Sequence, residues 1–294
     1  MNDIANLNLD YNRPVKIAEG VYWVGFFDKE SGLHCNPYLI VDGDEAMVID
    51  GGSRPDFPTV MMKILQTGLN PDSIKALIYQ HYDPDLCGSL SNFEDIIGSK
   101  ELKIISEKTN NVFIRHYYVT SDMMSIDEMG YSYKFSSGRT LRFIKTPYAH
   151  STGSFVTLDE QTGVLFSSDL FGSYSRQWEL FLKLEEDCRT CTDYKTCSKG
   201  KSDCPIHDIL NFHQKLMPSG LILRYAIERI AENKFTLVAP QHGSIISRKE
   251  DILLICEKLL NLEAVGIDSI IEDIKVCELG DLTCLKKMAV ENGN

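Results

Sequence analysis

The sequence predicts a four-layer αββα sandwich of mixed α/β class, with two β-sheets packed face to face and helices on both outer surfaces. Three observations predict it. Short β-branched and aromatic runs alternate with amphipathic helical segments over two successive halves of the chain. Polar residues suited to chemistry stand just past the carboxyl ends of apolar runs, where loops converge above a rigid sheet. The chain has 294 residues and 43% hydrophobic content, enough for a large domain with a sizeable core. That domain is expected over residues 1–265, with a Cys-rich insert at about 185–207 and a helical extension at 266–294.

The elements follow in order. VYWVGFF (21–27), NPYLIVD (36–42) and EAMVID (45–50) read as strands, the last two joined by the turn Asp42-Gly43-Asp44. Gly51-Gly52 marks a sharp turn. PDFPTVMMKILQTG (55–68) has helical spacing and a glycine at its stop. ALIYQ (76–80) is a buried strand that delivers His81, and SNFEDIIG and LKIISE continue the alternation. RTLRFIKTP (139–147) delivers His150. TGSFVTLDE and GVLFSSD (163–169) pair as a hairpin, and the second strand ends on Asp169. LILRYAIERIAEN (221–233) is a helix, FTLVAPQ (235–241) is a strand delivering His242, and the chain from Ile252 onward is helical and amphipathic.

A net charge of -12 argues against a nucleic-acid surface, which needs clustered Lys and Arg, and disfavours docking on anionic membranes. The start MNDIANLNLDYNRP is polar, and the longest apolar runs are far too short to span a bilayer, so a cytoplasmic location is expected. Nine cysteines are too many to ignore, yet a large chain without a signal peptide does not fit a disulfide framework. Cys35, Cys87, Cys256, Cys277 and Cys284 are scattered, and most of them read as small buried hydrophobes.

His81-Tyr82-Asp83-Pro84-Asp85 sets three ligand-type side chains at alternate positions, which point the same way in an extended loop. The sequel gives the loop its meaning. His150 in TPYAHSTGS, Asp169 in FSSD and His242 in APQHGS each follow a strand. Three histidines and three carboxylates make a harder, more anionic set than the histidine-rich sites of catalytic zinc, which favours iron; manganese would fit the same ligands.

This pattern resembles the metallo-β-lactamase superfamily and, within it, the di-iron domain of flavodiiron proteins and related oxygen-binding di-iron proteins. The resemblance covers roughly residues 20–250, including YLIVDGDEAMVIDGG as the N-terminal hairpin. The superfamily's hydrolases show H-x-H-x-D-H in the first loop and the flavodiiron branch H-x-E-x-D; this chain has His81-x-Asp83-x-Asp85. The resemblance implies two iron ions, one held by His81, Asp83 and His150, the other by Asp85 and His242, with Asp169 bridging. Two departures stand out. Asp83 replaces the usual glutamate, and Leu86 occupies a position where many relatives carry a further histidine. The second ion is then left with few protein ligands, which suits a small diatomic ligand. The implied activity is binding or reduction of O2 or NO, with electrons from rubredoxin, ferredoxin or flavodoxin, or gas sensing without turnover; a homodimer is implied as well. The residues after His242 are too few for an FMN domain. The alternative from another class is a two-metal zinc hydrolase of esters or thioesters, against which Asp83 and Leu86 both count.

Cys188-x2-Cys191-x5-Cys197-x6-Cys204 crowds a polar segment with no packing pattern of its own, which needs a staple. Four thiolates suit tetrahedral zinc or a [4Fe–4S] cluster, and an iron–sulfur cluster is favoured because it would supply an electron route. His207 and His213 flank this insert, and His207 is a candidate substitute ligand. His34 and Cys87 stand close enough in sequence to the ligand loops to be candidates for supporting them from behind, with packing the commoner role for such residues. Tyr82, Tyr148, Tyr174 and Trp178 are expected mostly to pack the core, and His116 to sit on the surface.

Overall fold

A computed structural model describes residues 9–28, 30, 32–117, 119–175, 177–191 and 204–271. The first sheet contains β1 (Val15–Ala18), β2 (Val21–Trp23), β3 (Tyr38–Asp42), β4 (Glu45–Ile49), β5 (Ile74–Ile78), β6 (Lys103–Ser106) and β7 (Asp122–Ser125), paired in that order. Its first four strands run antiparallel and its last four parallel. The second sheet contains β8 (Ser132–Lys134), β9 (Thr140–Lys145), β10 (Phe155–Asp159), β11 (Val164–Phe166) and β12 (Leu237–Ala239), in the order β12-β11-β10-β9-β8, with β11 and β12 parallel.

The described residues also form nine α-helices: α1 (Phe57–Gln66), α2 (Pro84–Cys87), α3 (Leu90–Ile97), α4 (Lys108–Ile114), α5 (Glu186–Thr190), α6 (Pro205–Leu216), α7 (Gly220–Ala231), α8 (Lys249–Leu260) and α9 (Asp268–Ile271). Local chemistry sets their ends. Pro58 opens α1, Gly98 closes α3 at φ 61°, and the Ser219 hydroxyl accepts the Ile222 amide at the start of α7.

The alternation of strand side chains divides the interior into three cores. Tyr38, Ile40, Met47, Ile49, Ala76 and Ile78 point inward and meet Phe143, Phe155, Val164, Phe166 and Ala239 of the second sheet. Their neighbours Leu39, Ala46, Val48, Leu77 and Ile104 point outward onto Val60, Ile64 and Phe93 of α1 and α3. On the far side Ile144, Val156, Leu158, Leu165 and Val238 pack on Ile209, Leu223, Ile227 and Ile255 of α6, α7 and α8. One core between the sheets and one outside each give the four αββα layers that the sequence predicts.

The differences are local. The strand expected over 21–27 ends at Trp23, because Gly25 lies against the Cys35 carbonyl and Phe27 turns to stack on Trp178, with ring centroids 5.3 Å apart. The strand expected over 235–241 is confined to β12. The helix expected from Ile252 onward is α8, which starts three residues earlier and stops at Leu260, with the short α9 following it. Residues 272–294, which include Cys277 and Cys284, lie outside the described residues. Among the described residues no helix is long and apolar enough to cross a membrane.

Candidate metal centre

Both sheets aim their loops at one end of the sandwich. β5 leads through Tyr79 and Gln80 to His81, β9 leads to His150, β11 to Asp169 and β12 to His242. Cross-sheet bonds hold that end together: the Asn36 amide donates to the Gln241 carbonyl at 2.8 Å, and the Phe155 amide to the Gln80 carbonyl at 3.3 Å. Asn110 of α4, fully buried, donates to the Gly153 carbonyl at 2.8 Å and to the Gln80 carbonyl at 3.5 Å, tying the His81 and His150 loops to each other.

Backbone strain gathers here. Among the described residues, six non-glycine residues have positive φ; three of them, Tyr148, Ser168 and Phe171, belong to these loops, and a fourth, Asp50 just after β4, accepts the Gln80 amide beside them. Such conformations persist only where the surroundings fix them. Gly243, at φ 83°, follows His242; a Cβ there would meet the Ser173 amide nitrogen at 2.9 Å.

All six sequence-predicted residues converge. His150 Nε2 lies 2.9 Å from Asp169 Oδ2 and 3.5 Å from Asp83 Oδ2, and His81 Nε2 lies 3.7 Å from Asp83 Oδ2 and 3.8 Å from Asp169 Oδ1. On the other side His242 Nε2 lies 3.1 Å from Asp85 Oδ2 and 3.7 Å from Asp169 Oδ1. Asp169 therefore sits between two lobes and faces both. One detail of the sequence reading is corrected. The loop is extended only through Asp83, after which Pro84 starts the one-turn α2, so Asp85 is carried to the second lobe by a helical turn. Leu86 is fully buried and faces the outer core beside α1 and α3.

The ring nitrogens are oriented from behind. His242 Nδ1 lies 3.2 Å from the His34 carbonyl, an acceptor only, so Nδ1 carries a proton and Nε2 is the nitrogen that faces Asp85 and Asp169. His81 Nδ1 lies 2.9 Å from the Ser168 hydroxyl, which leaves its Nε2 directed into the site. His34 itself is locked: its Nδ1 accepts the Asp28 amide at 3.1 Å and its Nε2 donates to the Ser175 carbonyl at 2.8 Å. Cys87 donates to the His81 carbonyl at 3.5 Å.

The electrostatics describe a pocket that attracts positive charge. Burial opposes ionisation of Asp169, yet His81, His242 and His150 hold its carboxyl far below the usual range. Burial likewise opposes the charge on His242 and His150, and the facing carboxylates, Asp169 foremost, overcome it and raise both imidazoles. Asp85 is held low against its burial by the His242 hydrogen bond. Behind the ligands, burial pushes Asp50 up to about 7, opposed by its 2.9 Å bonds from the Gln80 backbone and side-chain amides. Two buried atoms, His81 Nε2 and Asp169 Oδ1, have no hydrogen-bond partner. Buried polar atoms are normally satisfied. A metal cation satisfies an imidazole lone pair and a carboxylate oxygen together, so the residues fit such a group.

The other expectations divide. Tyr82 stacks on Phe113 with centroids 4.5 Å apart, Tyr174 packs edge-on against Phe212 at 5.5 Å, and Trp178 stacks on His34 at 4.6 Å, all packing roles. Tyr148 and His116 are exposed. Cys188 and Cys204 are half-buried against the outer core of the second sheet, whereas Cys197 lies outside the described residues. His213 turns away from the insert, accepting the Phe171 amide at Nε2 (3.0 Å) with Nδ1 2.7 Å from the Ile209 carbonyl. Sequence reading missed Cys35. Read as a buried hydrophobe, it is 4% exposed, but its Sγ lies 4.0 Å from His242 Nδ1. No local sequence signal marked it, because its proximity to His242 comes from a bridge between segments some two hundred residues apart.

The architecture is shared with known proteins. The crystal structure of the flavodiiron protein from Giardia intestinalis superposes with a TM-score of 0.70 at 20% identity, over 86% of this chain and 60% of that one. The apo state of the chemotaxis sensor ODP from T. denticola superposes with a TM-score of 0.67 at 24% identity, over 87% of this chain and 100% of that one. These likenesses establish the fold. In sequence, an uncharacterised protein of Methanocaldococcus jannaschii is 28% identical over 255 residues, 83% of this chain and 59% of that protein. The chain thus spans about three fifths of the length of that curated relative. A family model described as "ODP family beta lactamase" matches residues 33–243, from the segment before β3 that carries Cys35 to the loop that carries His242, and the chain belongs to that family.

Proposed function

We propose that the protein binds O2 or NO at a di-iron centre. His81, Asp83 and His150 would hold one ion, Asp85 and His242 the other, and Asp169 would bridge them. The observation that carries this reading is Asp169: Oδ2 faces His150 at 2.9 Å, while the partnerless Oδ1 faces both His81 and His242. When bound, two ferrous ions would supply a pair of electrons to the diatomic. The chain's own part is to present three imidazoles and three carboxylates at fixed positions, with Leu86 buried in the outer core and adding no donor. Three carboxylates also suit a harder ion than a histidine-rich zinc site does. The flavodiiron protein and the ODP sensor named above favour gas chemistry over hydrolysis.

Electrons would come from a separate redox protein or from a cluster on the insert cysteines. Anaerobic reconstitution followed by iron analysis distinguishes these, because two irons per chain indicate the centre alone and about six include a [4Fe–4S] cluster. Addition of O2 or NO to the reduced protein should change its optical and EPR spectra. Continuous gas consumption with reduced rubredoxin or ferredoxin identifies a reductase; a stable adduct without turnover identifies a sensor. A zinc-loaded form that hydrolyses thioesters while the iron form ignores both gases would defeat the reading.

A further inference from the structure

We infer that Cys35 is a protein ligand of the second metal position, making that lobe a mixed site of thiolate, carboxylate and imidazole. This rests on the two-metal reading above and deepens it. Ligand atoms of Cys35, Asp85 and His242 lie within 4.8 Å of one another, as do those of His81, His150 and Asp169 in the first lobe. Cys35 is held there by the backbone. It forms an isolated antiparallel bridge with His242, and Asn36 anchors the pair by donating through Nδ2 to the Pro240 carbonyl at 3.0 Å and the Gly243 carbonyl at 2.8 Å. The segment leading into β3 and the His242 loop therefore cannot separate without breaking buried hydrogen bonds.

Two independent considerations point to a thiolate ligand. The first is coordination. The second lobe otherwise has only Asp85, His242 and the shared Asp169, and Leu86 is buried away from it. A fourth donor gives this lobe as many protein ligands as the first, which has His81, Asp83, His150 and Asp169, and the partnerless Asp169 Oδ1 faces both lobes. The second is charge. Two divalent ions carry four positive charges, while Asp83, Asp85 and Asp169 return three. In a buried site an uncompensated charge is costly, and a Cys35 thiolate cancels it.

The geometry also states what ligation requires. Sγ now lies 4.0 Å from His242 Nδ1, whereas Asp85 approaches Nε2 at 3.1 Å. The thiol must therefore rotate about its single side-chain torsion toward the Asp85 carboxylate. On metal capture the S–H bond breaks, the sulfur keeps the electron pair and donates it to the ion, and the proton leaves to solvent. No oxidant or reductant is consumed. Sulfur is a softer donor than oxygen, so this lobe should favour thiophilic ions over the first.

The test is Co(II) titration of the apo full-length chain, in wild type and in Cys35→Ala and the near-isosteric Cys35→Ser. Both are small changes at one buried side chain, and far-UV circular dichroism checks the fold. The wild type should develop a sulfur-to-cobalt charge-transfer band in step with the second site, and both variants should lose that component. Any band from the insert cysteines persists in all three and cancels in the difference. Binding at the second site should weaken by more than the roughly 10–100-fold that changes behind a ligand cause. Two equivalents bound with unchanged affinity and an unchanged spectrum in both variants would refute ligation by Cys35 and leave the two-metal reading intact. Fewer than two equivalents at the six-residue centre of wild type, with the insert's share measured in a variant lacking Cys188, Cys191, Cys197 and Cys204, would overturn the two-metal reading itself and Cys35 ligation with it.

Discussion

Asp169 and Ser168 form a two-residue unit at the end of β11. Ser168 takes up φ 53° so that successive side chains serve different ends, one bonding His81 Nδ1 at 2.9 Å and the next entering the site. The bond to His81 fixes a ring whose Nε2 has no other partner. Ser168→Ala should therefore keep the fold and weaken metal binding by about 10–100-fold, read by competition with a chelator of known affinity. An unchanged affinity would mean that packing alone orients His81. Asp169→Asn removes the charge that both lobes share, and it should reduce the centre from two bound ions to at most one, read by metal analysis after dialysis. Two tightly held ions in that variant would show that the lobes are independent.

At the scale of elements, most of the frame was legible because it depends on local periodicity. β3, β4 and α1 follow from alternation, a turn at Asp42-Gly43-Asp44 and apolar spacing, and each ligand segment was placed at its strand end. Elements whose reasons lie elsewhere in the chain were not legible. β8 has no fully buried residue and exists through its pairing with β9. Helix α6 is the instructive omission, since Pro205 at its start and Ile206, Ile209, Phe212 and His213 on one face gave a helical signal beside a more conspicuous cysteine run. Its position matters for the site: Phe212 approaches the His242 ring with centroids 5.9 Å apart, and His213 receives the Phe171 amide from the Asp169 loop. Burial pushes His213 down to about 4, against the help of the Ile209 carbonyl. An unfolded histidine takes up a proton near pH 6.5. Between about pH 6.5 and 4 the unfolded chain thus binds more protons than the folded one, and stability falls as pH falls. The loss amounts to about 3 kcal/mol at the acid end. Urea unfolding across this range should show that slope in wild type, and His213→Gln should remove it; equal slopes would mean that other groups carry the acid sensitivity. At the opposite end of the sheets the Arg139 side chain donates to Asp159 at 2.5 Å and 3.2 Å and to the Val41 and Glu19 carbonyls at 3.3 Å, joining the second sheet to the first. Arg139→Met strands a buried carboxylate and should cost about 3–5 kcal/mol without changing metal affinity, whereas adding Asp159→Leu should restore much of the loss.

For the molecule as a whole, the centre is also a joint. His81, Asp83 and Asp85 follow a strand of the first sheet, and His150, Asp169 and His242 follow strands of the second. Ions bound there would cross-link the two layers at the end where the sheets are otherwise held by a few hydrogen bonds such as Asn36 to Gln241. They would also neutralise carboxylates packed together in a chain of net charge -12. A ligand that binds only the folded state stabilises it by about 4 kcal/mol at a thousandfold excess over its dissociation constant. For a chain of this size that corresponds to a melting shift on the order of 10 °C. Calorimetry of the iron- or manganese-loaded protein, before and after verified removal of the metal by a chelator, should show a drop of that size. The effect should concentrate at the metal end, so limited proteolysis of the stripped protein should cut first in the loops around His150 and Asp169, and not at the Arg139 end. An unchanged melting temperature after verified removal would mean that Asn36, Asn110 and the cross-sheet core already fix the six residues. In that case the centre would be preorganised and its metal affinity correspondingly high, and the ions would contribute chemistry without holding the sandwich together.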